Sequence, residues 1–128
     1  HGVPERHLPK VDKNITKLVK NWAIDNGKPL FDIDYQQQCL RTTELVRDKL
    51  GLPKEKVFTS FQSRLGKDKW IEPYTDATLE ALPKKGIKKL AVCCPAFVSD
   101  CLETLEEFAM EGKEEFLRAG GVSFHYLP

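Results

Sequence analysis

Apolar or small residues recur at helical spacing between Gln36 and Leu50, at Cys39, Thr43, Val46 and Leu50, and Gly51 with Pro53 supplies a stop. This pattern predicts a helix. The next run, Val57 to Gln62, alternates and is rich in β-branched and aromatic residues, which predicts a strand. A loop carrying Gly66, Lys67, Asp68 and Pro73 follows. Thr75 and Asp76 suit the N-terminus of a second helix that passes through Leu79 and Leu82, is interrupted near Pro83 and ends at Gly86. Leu90 to Cys94 is apolar without a break, the pattern of a strand covered on both faces of a parallel sheet. Asp100 can cap a third helix whose stripe of Leu102, Leu105, Ala109, Gly112 and Phe116 faces the core, with Gly120 and Gly121 at its end. Val122 to Leu127 completes the pattern as a strand.

Helix and strand therefore alternate three times, at lengths that suit right-handed parallel crossovers. The class is α/β with a parallel sheet flanked by helices. The pattern is open at both ends: no strand precedes His1, and Pro128 falls where a strand should hand over to a helix, so a covering element is expected at each end. The stretch 10–35 reads as a long loop insertion. Within it Ile15, Leu18, Val19 and Trp22 approach helical spacing before Asn26-Gly27 breaks the run, enough for one short helix.

Composition adds bounds. A chain of 128 residues is one domain's worth, and 41% hydrophobic with 30% charged residues is ordinary for a soluble globular protein. A net charge of +1 removes any electrostatic case for nucleic acid. No apolar run approaches the ~20 residues of a membrane span and no signal-peptide pattern opens the chain, so a cytoplasmic location is expected. Cys39, Cys93, Cys94 and Cys101 lack the paired spacing of a zinc site and are too sparse for a secreted disulfide framework. They read as reduced thiols.

The candidate chemistry lies at the two ends of the chain. Read alone, His1 is a solvated terminal residue. Asp100-x-x-Glu103 has the spacing of a capping box, and an acid in the first turn is stabilised by the helix dipole. Glu103, Glu107 and Glu111 stand four residues apart, which by itself reads as a solvated face opposite the apolar stripe. Like charges at that spacing cost ~0.2–0.5 kcal/mol each in an isolated helix, so capping does not fully explain Glu103.

Three stretches carry a family likeness. They are His1-Gly2-Val3-Pro4-Glu5-Arg6; Phe61-Gln62-Ser63-Arg64, continued by Trp70 and by Pro73 through Asp76; and Pro95-Ala96-Phe97-Val98-Ser99-Asp100-Cys101-Leu102-Glu103-Thr104-Leu105-Glu106-Glu107. In this order and spacing they resemble the ferrochelatases, and the chain resembles the C-terminal half of a bacterial-type member. The resemblance implies a chelatase-like, Rossmann-like three-layer domain of a lyase that inserts ferrous iron into protoporphyrin IX to form protohaem. It makes His1 the active-site histidine, as base or metal ligand, since insertion releases two pyrrole protons and a neutral imidazole can take a proton or hold ferrous iron.

It also places the acids in the active-site cleft, often on a helix with a π-type distortion. Glu103 would face the porphyrin and, with His1, touch the metal; Glu107 and Glu111 would form an outer proton or metal path. Gln62, Ser63 and Arg64 follow a strand, where α/β folds place ligand contacts. Trp70 suits either the macrocycle or core packing, and Phe97 either the cleft or the start of its helix.

Departures matter too. Cys101 stands where many ferrochelatases have histidine, and the usual short loop after the first motif is replaced by the stretch ending in Tyr35 and Cys39. No tightly bound cofactor and no iron–sulfur cluster is expected, iron being a substrate. The partners implied are porphyrin, ferrous iron and a missing N-terminal domain of the same enzyme. Without that opposite wall the chain alone is expected to be inactive, and the apolar face left open allows self-association. Two other readings stand beside this one. A cobalt or nickel chelatase of related type usually has two histidines in its site, against one here. A non-catalytic α/β binding domain of flavodoxin type needs a Gly-rich phosphate loop or an acidic cluster at strand ends, and neither is visible.

Overall fold

The computed structural model describes residues 1–8 and 35–128. The expected loop insertion at 10–35, with its short helix, lies outside the described residues but for Tyr35. The chain divides into two compact units, Gly2–Glu72 and Pro73–Pro128 together with His1.

In the first unit the predicted helix forms as α1, Tyr35–Leu50. It ends because Gly51 takes a φ of 64°, a left-handed conformation that glycine adopts without a Cβ penalty. The Gly51 amide then bonds the Asp48 carbonyl at 3.2 Å and the Leu52 amide the Arg47 carbonyl at 3.1 Å, satisfying two carbonyls that the helix leaves orphaned. Cys39 and Thr43 are half-buried, and the Thr59 hydroxyl donates to Thr43 Oγ1 at 2.9 Å. Val46 and Leu50, on the same stripe, stay exposed.

Among the described residues the stretch expected as a strand, Val57–Gln62, shows a bridge at Phe61 alone. Val57 has extended backbone, but residues 57–60 join no ladder among the described residues. Alternation can prepare an extended segment; only a neighbour's hydrogen bonds make it a strand. What closes on this region is the start of the chain. Gly2 N–H donates to the Gln62 carbonyl at 2.7 Å, Ile71 N–H to Val3 at 3.0 Å and Glu5 N–H to Lys69 at 2.8 Å. Pro4 and Trp70 form an isolated antiparallel bridge, and Phe61, Gln62 and Ile71 are buried.

The second unit contains α2 (Thr75–Lys84), β1 (Lys89–Cys93), a π-helical segment (Glu103–Gly112) that runs on into α3 (Lys113–Arg118), and β2 (Ser123–Leu127). The strands pair in parallel, Lys89 opposite Ser123 through Cys93 opposite Leu127, so the predicted strand–helix–strand unit is present. Leu79, Leu82, Phe116 and Phe124 make the core, with Ile87, Leu90, Val92 and Tyr126 packed against it. The Phe116 and Phe124 rings meet at 5.9 Å, tilted by 54°, a geometry that aromatic pairs favour.

Three expectations need correction here. Tyr74 occupies the N-cap position of α2 without a side-chain capping bond, while Asp76 Oδ1 accepts the Ala77 amide at 2.7 Å in the first turn, and the helix passes through Pro83 without interruption. Proline forfeits one backbone bond, and this one sits in the last turn with a single helical residue after it. β1 begins one residue earlier than expected and is covered on one face within this unit: Leu90 and Val92 pack on the core while Lys89, Ala91 and Cys93 are exposed.

The third concerns the stripe of the last helix. Leu102 and Leu105 are 72% and 48% exposed, and the buried column is Thr104, Phe108, Gly112 and Phe116. The expected stripe assumed α-helical turns, in which i+3 and i+4 share a face. A π turn is wider, with hydrogen bonds from i to i+5, so neighbours three apart separate while neighbours four apart stay together. Gly112 belongs in that column for a steric reason, since a Cβ there would stand 3.1 Å from Leu79 Cδ1 on α2.

Candidate active site

β1 runs out at Cys93, and the loop 94–102 leads from its C-terminal end to the π segment. In open α/β sheets this end is where ligands bind. The His1 imidazole lies there against Phe97, ring centroids 6.2 Å apart and tilted by 59°. Cys94, directly after β1, is half-buried. Burial, chiefly, and the adjacent Cys93 push its thiol up to about 11, and Asp100 and Cys101 add to the rise. A thiol held that far up stays protonated at neutral pH and is a poor nucleophile or metal ligand.

The π segment opens on the acid that the sequence singles out. Glu103 is partly exposed, and its carboxyl is held below the usual carboxylate range by a hydrogen bond from Cys101 first and by its own backbone amide second. Cys101, at the position where a histidine is common in the resembled family, thus acts as a donor to Glu103. The capping box expected from Asp100-x-x-Glu103 is not made. Thr104 takes that part: its Oγ1 accepts from the Cys101 amide at 3.0 Å and lies 3.0 Å from Asp100 Oδ1.

Glu107 and Glu111 follow on the same side of the π segment and are exposed. They do not oppose the buried face, as the α-helical reading expects. Each acid directly precedes a member of the buried column, Glu103 before Thr104, Glu107 before Phe108 and Glu111 before Gly112, so the acids flank that face by about a quarter-turn.

The remaining candidates belong to the Gly2–Glu72 unit. Gln62 is buried, and its carbonyl receives the Gly2 amide. Ser63 follows with a φ of 66°, a left-handed backbone that costs a non-glycine residue roughly 1–2 kcal/mol. Such strain collects at functional sites. Arg64 is exposed. Trp70 is half-buried, with its indole N–H donated to the Leu65 carbonyl at 3.1 Å, which favours the packing alternative for this residue. Tyr35, at the start of α1, has its phenol pushed up to about 12 by burial and by Cys39 one turn on.

Gly2 is a residue whose reason only the coordinates give. A Cβ there would stand 2.7 Å from the Gln62 carbonyl, 3.0 Å from that of Ser63 and 3.3 Å from Trp70 Cε3. Gly2→Ala should therefore lower stability by about 1–3 kcal/mol through overpacking, read as a drop in thermal midpoint. An unchanged midpoint would show that the segment yields freely. Among the described residues no group of three or more His, Cys, Asp or Glu side chains is arranged to hold a metal ion, and no helix is long and apolar enough to cross a membrane.

A parallel strand–helix–strand unit, with a histidine and an acid-bearing π segment at the C-terminal end of the first strand, defines an α/β domain of the chelatase-like kind. The ferrochelatase family model matches residues 1–128. The chain belongs to the ferrochelatase family. It is 58% identical over its whole length to a ferrochelatase of Vibrio cholerae, of which it covers 33%. It is 49% identical to one of Pseudomonas fluorescens and 48% to one of Pseudomonas aeruginosa, covering 38% of each. The chain thus spans between a third and two-fifths of the relatives it matches.

Proposed function

We propose that this chain is the metal-handling part of an enzyme that inserts ferrous iron into protoporphyrin IX, a step of haem formation. The observation that supports the reading is the His1 ring against Phe97, in the loop that leads from the C-terminal end of β1 to an acid-lined π segment. π turns are rare and concentrate at functional sites. Family membership supports the same reaction.

Charge is conserved in that reaction, because one ferrous ion enters the macrocycle as two pyrrole protons leave. In its neutral form the His1 imidazole accepts a pyrrole proton. The Glu103 carboxylate, kept ionised by its hydrogen-bond donors, faces the incoming cation. His1 and Glu103 together hold the iron, as a substrate, before it passes to the four nitrogens. Glu107 and Glu111 continue the row outward and carry protons away or cations in. Phe97 packs beside His1 at the macrocycle.

In the other unit Gln62, Ser63 and Arg64 contribute to substrate binding, with Trp70 as their scaffold. The remainder of the enzyme supplies the rest of the porphyrin pocket, no cofactor is held tightly, and the enzyme works in the cytoplasm. The test is metal insertion by the complete gene product, with ferrous iron under anaerobic conditions and protoporphyrin IX, followed by absorbance. The wild type should form the metalloporphyrin, and His1→Ala should be slower by about 10²–10⁴-fold, the scale of lost acid–base catalysis. A wild-type protein that binds porphyrin but never metallates it would refute the proposal.

A further inference from the structure

Glu103 and Cys101 sit at the first turn of the π segment, and neither is fixed by a conventional helix cap. What holds this turn is a small hydrogen-bond cluster that reaches across to β2. The Tyr126 hydroxyl donates to Asp100 Oδ1 at 2.6 Å, within the range of short, charge-assisted bonds to a carboxylate. Thr104, with no exposed surface, meets the same Asp100 oxygen at 3.0 Å and the Cys101 carbonyl at 3.1 Å, and its Oγ1 accepts the Cys101 amide. One hydroxyl has one proton, so Thr104 serves a single acceptor at a time. The Asp100 oxygen therefore depends on Tyr126 for a lasting donor. Tyr126 can provide it because its ring is anchored: it stands opposite Val92 in the sheet and packs against the core cluster.

We propose that Tyr126 is a positioning residue of the chelatase site, its phenol holding Asp100 so that Asp100 and Thr104 fix the first π turn and thereby the direction of Cys101 and Glu103. It touches neither porphyrin nor metal. The inference rests on the metal-insertion reading above for its effect on turnover, but the clamp itself is a property of the fold.

The test uses the complete gene product and two readouts. The first is native-state hydrogen exchange at residues 101–105, which reports opening of this turn whether or not the protein is active. Tyr126→Phe should speed exchange there by about tenfold and leave β1 and α2 unchanged. The second is steady-state metal insertion. Misplacing a catalytic group by about 1 Å costs ~10²-fold in rate, so Tyr126→Phe should lower kcat by about ten- to a hundredfold while the porphyrin KM stays within about twofold. Thr104→Ser, which keeps the hydroxyl, should behave as wild type, and Thr104→Val should resemble Tyr126→Phe.

Unchanged exchange at 101–105 in Tyr126→Phe overturns the clamp. So does equal damage from Thr104→Ser and Thr104→Val, which would make the site one of packing alone, and so does a rise in KM at constant kcat. Failure of the wild type to metallate counts against the proposed reaction instead, and the exchange arm still decides the clamp.

Discussion

Glu103→Gln in the complete gene product should abolish metal insertion, by about 10²-fold or more, while porphyrin binding is retained. The substitution keeps the size of the side chain and its ability to accept one hydrogen bond from Cys101, and removes only the charge and the basicity. A carboxylate facing a divalent cation makes an electrostatic contribution that a neutral amide cannot replace, worth ~10²–10³-fold in rate. Glu103 is partly exposed and not a member of the buried column, so the variant should fold with an unchanged thermal midpoint. Porphyrin fluorescence quenching would measure binding, and the absorbance assay turnover. Wild-type turnover in Glu103→Gln would remove the residue from the reaction; lost binding with normal turnover at saturating porphyrin would move it to the substrate pocket.

The largest effect on stability is expected from Phe116→Ala. Phe116 has no exposed surface, joins Leu79, Leu82 and Phe124 in the core, and stacks obliquely on Phe124. Removing a buried aromatic ring costs about 3–5 kcal/mol, because the surroundings close only partly over the space left behind. That is a large share of the ~5–15 kcal/mol that holds a typical domain folded. Denaturant unfolding should show a much lower midpoint with a similar slope. A loss under about 1 kcal/mol would mean that Leu79 and Phe124 collapse into the gap.

How far the sequence foretold these features depends on which interaction decides each one. α1 and its stop at Gly51 were readable because a left-handed glycine after an apolar repeat is a local signal, and Gly86 and Gly120, which end their helices, also have positive φ. The parallel pairing of β1 and β2 was readable from the apolar run and the crossover length. The strand expected at Val57–Gln62 was not, since its outcome depends on which backbone lies beside it. The stripe of the last helix failed for a different reason: nothing in single-residue propensity marks a π turn, and an α-helical count places Leu102 and Leu105 inward.

The site shows the same division. His1, Phe97 and Glu103 were found as motif residues, and the structure brings His1 onto Phe97. Tyr126 had no sequence signal, being an unremarkable position in the closing strand. The only hint of Thr104 was its place beside Glu103. Both matter through contacts across elements that no spacing rule connects.

The wide turns from Glu103 to Gly112 also govern everything downstream of them. Because α3 continues the same helix without a break, deleting one residue from that stretch while its wide winding is kept would swing the following residues by roughly a quarter-turn around the axis. Phe116 would leave its place beside Leu79 and Phe124. The spacing of the acid row and the seating of the largest core side chain are therefore set by a single winding parameter, and a length change that alters one must disturb the other.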